Sequence, residues 1–204
     1  MASEKFWNAA QSTITKTENH KFLTSMVNGT LCDEKFVYYV IQDALYLTDF
    51  ADCLKRLGDN AADTKQKDRL YSLAKGAEED EKELHRSFFS KWNIENDAKI
   101  SKQMPKTLLY TSYMLRVVTT RPYAEGLAVL LPCFWVYMHV GKCMLKLRDD
   151  LGDRLVLSLS SLILYFLTSN KLYSVNTCCS TFSHFSQTSF YCLHYFYFVI
   201  FHEQ

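Results

Sequence analysis

Gly126-Leu-Ala-Val-Leu-Leu-Pro-Cys-Phe-Trp-Val-Tyr-Met-His-Val-Gly141 runs without a single formal charge. A stretch that is apolar on every side of a helix belongs in the middle of a bundle or in a bilayer. It falls short of the ~20 residues a membrane span requires, and Glu125 and Lys142 flank it directly. The expectation is a buried central helix over residues 123–148. Pro132 lies inside it, removes one backbone donor, frees the carbonyl of Ala128 and predicts a bend. Cys133 follows, and Tyr137 stands one turn further along the same face. A free cysteine in an apolar helix is ordinarily inert packing. Residue type alone therefore leaves Cys133 between a packed and a reactive thiol.

Upstream, residues 33–58 carry the strongest amphipathic pattern. Phe36, Val40, Leu47, Phe50, Leu54 and Leu57 recur at spacings of three and four, with Asp33 as the expected N-cap and Gly58 as the expected stop. Asp43 occupies the position on that stripe between Val40 and Leu47. A carboxylate on a buried face costs several kcal/mol unless something pairs with it. Asp43 is thus either an acid solvated at the stripe's edge or one facing a ligand. Residues 61–92 read as a long charged helix. Its run Glu78, Glu79, Asp80, Glu81 and Glu83 is the pattern of a solvated face. Glu78, Glu81 and His85 resemble half of a carboxylate–histidine metal motif, but no second half occurs on another helix. Pro105 opens a helix over residues 105–120, on which Tyr110 and Tyr113 share a face. The fold class that follows is all-α: a multi-helical bundle with an acid, a thiol and several tyrosines turned inward. Such a set suits attack on an electron-poor flat ring, with cysteine as nucleophile. Composition does not carry that claim by itself.

The chain has 204 residues, 23 lysines and arginines against 22 aspartates and glutamates, and a net charge of +1. That balance argues against a nucleic-acid binder, which needs a basic excess. Seven cysteines are too few for a disulfide scaffold of this length. The polar N-terminus, Met1–Trp7, has no apolar core of a secretory signal, so the expected location is the cytoplasm, without membrane attachment.

Three stretches carry a family resemblance. The first is Asn28-Gly-Thr-Leu followed by Phe36-Val-Tyr-Tyr-Val-Ile-Gln-Asp43-Ala-Leu-Tyr46-Leu-Thr-Asp-Phe-Ala51. The second is Tyr110-Thr-Ser-Tyr-Met114, and the third Ala124-Glu-Gly-Leu-Ala-Val-Leu-Leu-Pro-Cys133-Phe-Trp-Val-Tyr137. Together they resemble the TenA family, the thiaminase II group of thiamin salvage, over residues 3–153. The resemblance implies a haem-oxygenase-like helical bundle, usually a homotetramer, acting on a small-molecule aminopyrimidine with no metal or organic cofactor. The substrate it implies is thiamin or its aminomethyl-pyrimidine breakdown product, hydrolysed to hydroxymethyl-pyrimidine. It matches Cys133 to the family's nucleophile and Asp43 to the aspartate that holds the ring's amino group and nitrogen. Tyr46, Tyr110 and Tyr137 match the tyrosines that line and stack on the ring.

The match stops near Arg154. The family carries a catalytic glutamate on its last helix and a further pocket tyrosine; residues 155–202 contain no glutamate and no matching tyrosine. Residues 155–204 hold only two charged side chains, Lys171 and Glu203, and no Ala, Gly, Pro or Arg. The expected organisation is a TenA-like helical domain over residues 1–154, lacking its last two helices, and a non-family tail over 155–204. The tail has the composition of translated AT-rich non-coding sequence. A short membrane anchor, a divergent helical close of the bundle, or a zinc site from Cys178, Cys179, Cys192 and His194 are the competing readings. If the tail is not family sequence, the expected product is impaired or inactive and binds a pyrimidine without turning it over.

Overall fold

The computed structural model describes residues 2–94 and 101–151. Among them the secondary structure is entirely helical: α1 (Ala2–Glu18), α2 (Lys21–Val27), α3 (Asp33–Asp59), α4 (Thr64–Trp92), α5 (Pro105–Thr120) and α6 (Tyr123–Leu151). The tail, the expected loss of the last two helices, and the Cys178/Cys179/Cys192/His194 grouping lie outside the described residues, as do the side chains of Glu81 and His85.

The chain divides into two compact units. In one, α3, α4 and α5 are joined by residues 123–130 of α6. The hydrophobic stripe read from sequence is its core: Val40, Leu47, Phe50, Leu54 and Leu57 are all buried. Phe36 is half-buried and packs its ring against Phe88 and Trp92 of α4. Asp33 is the first residue of α3, and Gly58, the expected stop, is helical and buried. The reason is packing: a Cβ at Gly58 would sit 3.1 Å from the Tyr71 ring of α4. A second close approach occurs where α6 begins, since a Cβ at Gly126 would meet Leu57 Cδ1 at 2.5 Å. In the acidic stretch of α4, Glu79 is exposed, as expected of a solvated face, and Glu78 pairs with Lys55 of α3 at 2.6 Å, while the side chains of Asp80, Glu81 and Glu83 lie outside the described residues. Helix α4 starts on Asp63, whose Oδ1 accepts from Lys65 N, and ends on Asn93 in the left-handed region at φ 55°.

In the other unit, α1 and α2 join the stretch of α6 from Leu131 onward. Among the described side chains of α1, Ala10, Thr13, Ile14 and Thr17 are buried. The Thr17 hydroxyl donates to the Thr13 carbonyl at 2.9 Å, which lets a polar side chain sit inside. Helix α2 starts on His20, whose Nδ1 accepts from Phe22 N, and ends at Asn28-Gly29. Gly29 adopts φ 74°, which a side chain would strain, while Asn28 Oδ1 accepts from both the amide and the hydroxyl of Thr30. The Asn28-Gly-Thr-Leu motif is therefore turn chemistry that delivers the chain into α3.

Helix α6 continues through Pro132 without a break. Its segment Tyr123–Leu147 is long and apolar enough to cross a bilayer by length and composition, and longer than the uncharged run alone suggests. Just over half of its most apolar window, 56%, is buried inside the protein, as in a core helix.

Candidate functional site

Asp43 and Tyr46 lie one turn apart on α3, with Phe50 one turn further. Tyr46 and Phe50 are buried and Asp43 is half-buried, so the stripe that builds the core also aims the acid. Tyr110 of α5 is almost wholly enclosed, at 1% exposure. Its ring stacks on Tyr46 with centroids 5.8 Å apart and planes 9° from parallel. Tyr46 in turn stacks on Phe50 at 5.6 Å and 22°. The three rings form an offset column, a geometry aromatic quadrupoles favour. A flat ligand inserted between two rings would need about 7 Å from plane to plane. Tyr46 and Tyr110 therefore stack on each other and leave no room for a flat heterocycle between them.

Two glutamines fix α5 against α3. Gln103 Nε2 donates to the Leu45 carbonyl at 3.2 Å and to Asp49 Oδ2 at 2.8 Å. Its Oε1 accepts from the buried Thr111 hydroxyl at 3.1 Å. Gln42 Nε2 donates to the Lys102 carbonyl at 3.1 Å, and its Oε1 accepts from the amide of Met104, the N-cap residue of α5, at 2.9 Å. Met104 offers no side-chain cap, and it is Met104's own amide that α3 satisfies, through Gln42, from across the interface. These contacts set the register that puts Tyr110 on Tyr46. Gln42 lies within the quoted Tyr-Val-Ile-Gln-Asp string, yet its role rests on a partner 60 residues away that no spacing announces.

Cys133 and Tyr137 lie one turn apart on α6, in the part belonging to the other unit. Cys133 is buried at 7% exposure and Tyr137 is half-buried. Of the five residues named from sequence, ring contact thus joins Tyr46 to Tyr110, while Asp43 shares their unit and Cys133 shares a helix face with Tyr137. Tyr113, one turn past Tyr110, is half-buried.

Other cysteines differ from Cys133 in their surroundings. Cys53 is fully buried on α3, and burial, then the nearby carboxylates of Asp52 and Asp49, push its thiol up to about 12. It is a packing residue. Cys143 is half-buried, and burial together with the Glu18 carboxylate raises its thiol, with Lys146 opposing. Beside it, His139 Nε2 contacts Glu18 Oε1.

Among proteins of known name, 127 residues of this chain are 41% identical to the aminopyrimidine aminohydrolase of Bacillus subtilis, covering 62% of this chain and 54% of that protein. The thiamine biosynthesis multifunctional protein ThiED of Corynebacterium efficiens is 29% identical over 140 residues, which are 69% of this chain and 19% of that protein. The chain thus spans about half the length of the Bacillus relative. Among solved structures, a TenA homologue from P. horikoshii OT3 superposes with a TM-score of 0.80 at 24% identity, covering 98% of this chain and 92% of the other. A TenA-like thiaminase described as such from Sulfolobus solfataricus gives 0.77 at 17%, over 97% and 93%. At these identities the likeness establishes the fold, which is all-α and haem-oxygenase-like. The model of the TENA/THI-4/PQQC family matches residues 7–154, a span that contains the α3 acid, the ring column and the α6 thiol, and the chain belongs to that family.

Proposed function

We propose that this chain carries the substrate-binding frame of an aminopyrimidine hydrolase of thiamin salvage. The observation that carries the reading is the coincidence of family motifs with chemistry. Asp43, Tyr46 and Tyr110 supply an acid beside stacked rings on α3 and α5, and Cys133 and Tyr137 supply a thiol and a phenol on α6. The name of the Bacillus relative supports an aminopyrimidine as substrate, and that of the Corynebacterium relative supports a place in thiamine metabolism.

The chemistry follows from the residue types. The Cys133 sulfur adds to an electron-poor carbon of the pyrimidine, and the electron pair moves onto a ring nitrogen. A proton held between that nitrogen and Asp43 neutralises the charge, while the carboxylate accepts from the ring's amino group. The weakened exocyclic bond then breaks. The proton given up by the Cys133 thiol passes to the departing amine, so that ammonia leaves from an aminomethyl-pyrimidine; from thiamin the thiazolium takes the bond's electron pair and leaves as neutral thiazole, and the thiol proton goes to solvent. Water adds at the exocyclic carbon, the sulfur departs, and hydroxymethyl-pyrimidine is released. Tyr46, Tyr110 and Tyr137 are the proposed aromatic lining of the site. The reaction uses no metal or organic cofactor, the substrate is a free small molecule rather than a nucleic acid, and the family's homotetramer is the proposed assembly.

A second reading has a specific observation behind it. Residues 155–202 contain no glutamate to exchange protons with Cys133, which favours a chain that binds a pyrimidine without turning it over. One assay separates the two. Purified protein is given thiamin or aminomethyl-pyrimidine, with Cys133→Ser as the control, and hydroxymethyl-pyrimidine is quantified. Product above the control supports hydrolysis. Product equal to the control, with pyrimidine binding retained, assigns the binding-only reading.

A further inference from the structure

Three side chains outside the proposed hydrolytic set converge within one unit. His139 and Cys143 are spaced i, i+4 on α6 and so face the same way, and Glu18 is the last residue of α1. Cys143 Sγ lies 3.5 Å from His139 Nε2 and 3.7 Å from Glu18 Oε1, and Nε2 contacts that same oxygen directly. All three donor atoms fall within 4.8 Å of one another. The imidazole is held from behind: the Trp7 ring stands edge-on to it at 4.9 Å and 66°, and Trp135 stands edge-on to Trp7 at 5.5 Å. That wall keeps Nε2 aimed at the carboxylate and thiol. The Glu18 and His139 side chains keep 28% of their surface each, so the open side admits an ion and a water.

We propose that Glu18, His139 and Cys143 form a three-ligand site for a divalent cation of the zinc class, tying the end of α1 to α6. The donor set is one thiolate, one imidazole and one carboxylate, which suits a borderline-soft metal and is a poor match for magnesium or calcium. A tetrahedral ion with bonds of about 2.0–2.3 Å spaces its ligand atoms roughly 3.3–3.8 Å apart. The two sulfur separations already have that spacing. Binding needs only the carboxylate to draw back from the imidazole and Cys143 to release its proton to solvent. Two ligand charges then balance the ion, so the half-buried site ends neutral, with water as fourth ligand. The site shares no residue with the proposed hydrolysis, and its test reads metal rather than turnover.

The full chain, stripped with a chelator, would be titrated with Zn²⁺ and with Mg²⁺ by calorimetry, and with Co²⁺ by absorption. The expected result is one equivalent of Zn²⁺, no Mg²⁺ binding, and a thiolate-to-cobalt charge-transfer band in the near ultraviolet. Cys143→Ser removes the band and weakens Zn²⁺ at least about 100-fold, more than the loss of an outer-shell partner usually costs. Glu18→Gln weakens Zn²⁺ binding and keeps the band, and Cys133→Ser changes neither. Far-ultraviolet circular dichroism confirms that each variant is folded. A wild-type chain without the band, or a band that survives in Cys143→Ser, overturns the proposal; the second result would place the metal on other cysteines. Should Cys143→Ser fail to fold, the wild-type cobalt spectrum and Glu18→Gln still decide it.

Discussion

Gly126→Ala tests the tighter of the two glycine contacts, because two effects of opposite sign meet there. Replacing a helical glycine with alanine ordinarily stabilises by about 1 kcal/mol. Here the new methyl would lie 2.5 Å from Leu57 Cδ1, at least ~1 Å inside an ordinary carbon–carbon contact. Leu57 is only 1% exposed, so its methyl cannot swing into water. Overpacking of this kind costs about 1–3 kcal/mol. The net expectation is a loss of about 1 kcal/mol, or roughly 2–4 °C in the melting midpoint for a protein of this size. Leu57→Ala alone should cost about 2–5 kcal/mol through the cavity it leaves. In that background the Gly126 methyl has room, and the same Gly126→Ala change should become stabilising by about 1 kcal/mol. The double-mutant cycle, read by urea unfolding followed at 222 nm, should therefore show a coupling of about 2 kcal/mol. A Gly126→Ala protein more stable than wild type, or an equal effect in both backgrounds, would refute the close contact between α6 and α3.

Gln103→Leu removes three hydrogen bonds and leaves Asp49 and Thr111 without that partner; a loss of about 1–3 kcal/mol in urea unfolding is expected, with weaker pyrimidine binding by calorimetry. Tyr110→Ala should cost about 3–5 kcal/mol, as for a deleted buried aromatic, and Tyr110→Phe much less because the stack on Tyr46 survives. Cys53 gives a pH signature. Its raised thiol keeps the proton in the folded state while the unfolded thiol loses it near pH 9, so its contribution is intact below pH 9 and falls as pH rises toward 12. The stability gap between wild type and Cys53→Ala should shrink by about 1 kcal/mol per unit above pH 9 in pH-stepped denaturation; a gap independent of pH would contradict the burial of that thiol.

Helices α3, α5 and α6 were legible because their signals are local: an i, i+3, i+4 apolar stripe, a proline at the first turn, and a long uncharged run. Helix α1 hides its buried face, since two of the four buried residues among its described side chains are threonines, whose type reads as surface. Gly58 reads as a terminator, but its missing side chain serves the contact with Tyr71 rather than a turn. The site divides in the same way. Asp43 was legible as an acid on an apolar stripe, and Cys133 and the tyrosines only through family motifs, because a thiol or a phenol in an apolar helix looks the same packed or working. Gln42, Gln103 and Glu18 had no local signal at all, and the i, i+4 spacing of His139 and Cys143 points to a site only once Glu18 stands beside it. Each depends on partners tens of residues away, and only folding brings them together.

The Trp7–Trp135 contact gives the protein an optical reporter of its own. The chain has three tryptophans, and the third, Trp92, stacks with Phe88 in the other unit. Two indoles 5.5 Å apart and 76° from parallel have coupled transition dipoles, which produce a paired positive and negative signal in circular dichroism. That couplet exists only while the first helix is seated on the sixth. Its amplitude therefore follows the attachment of the N-terminal helix in unlabelled protein, separately from total helicity.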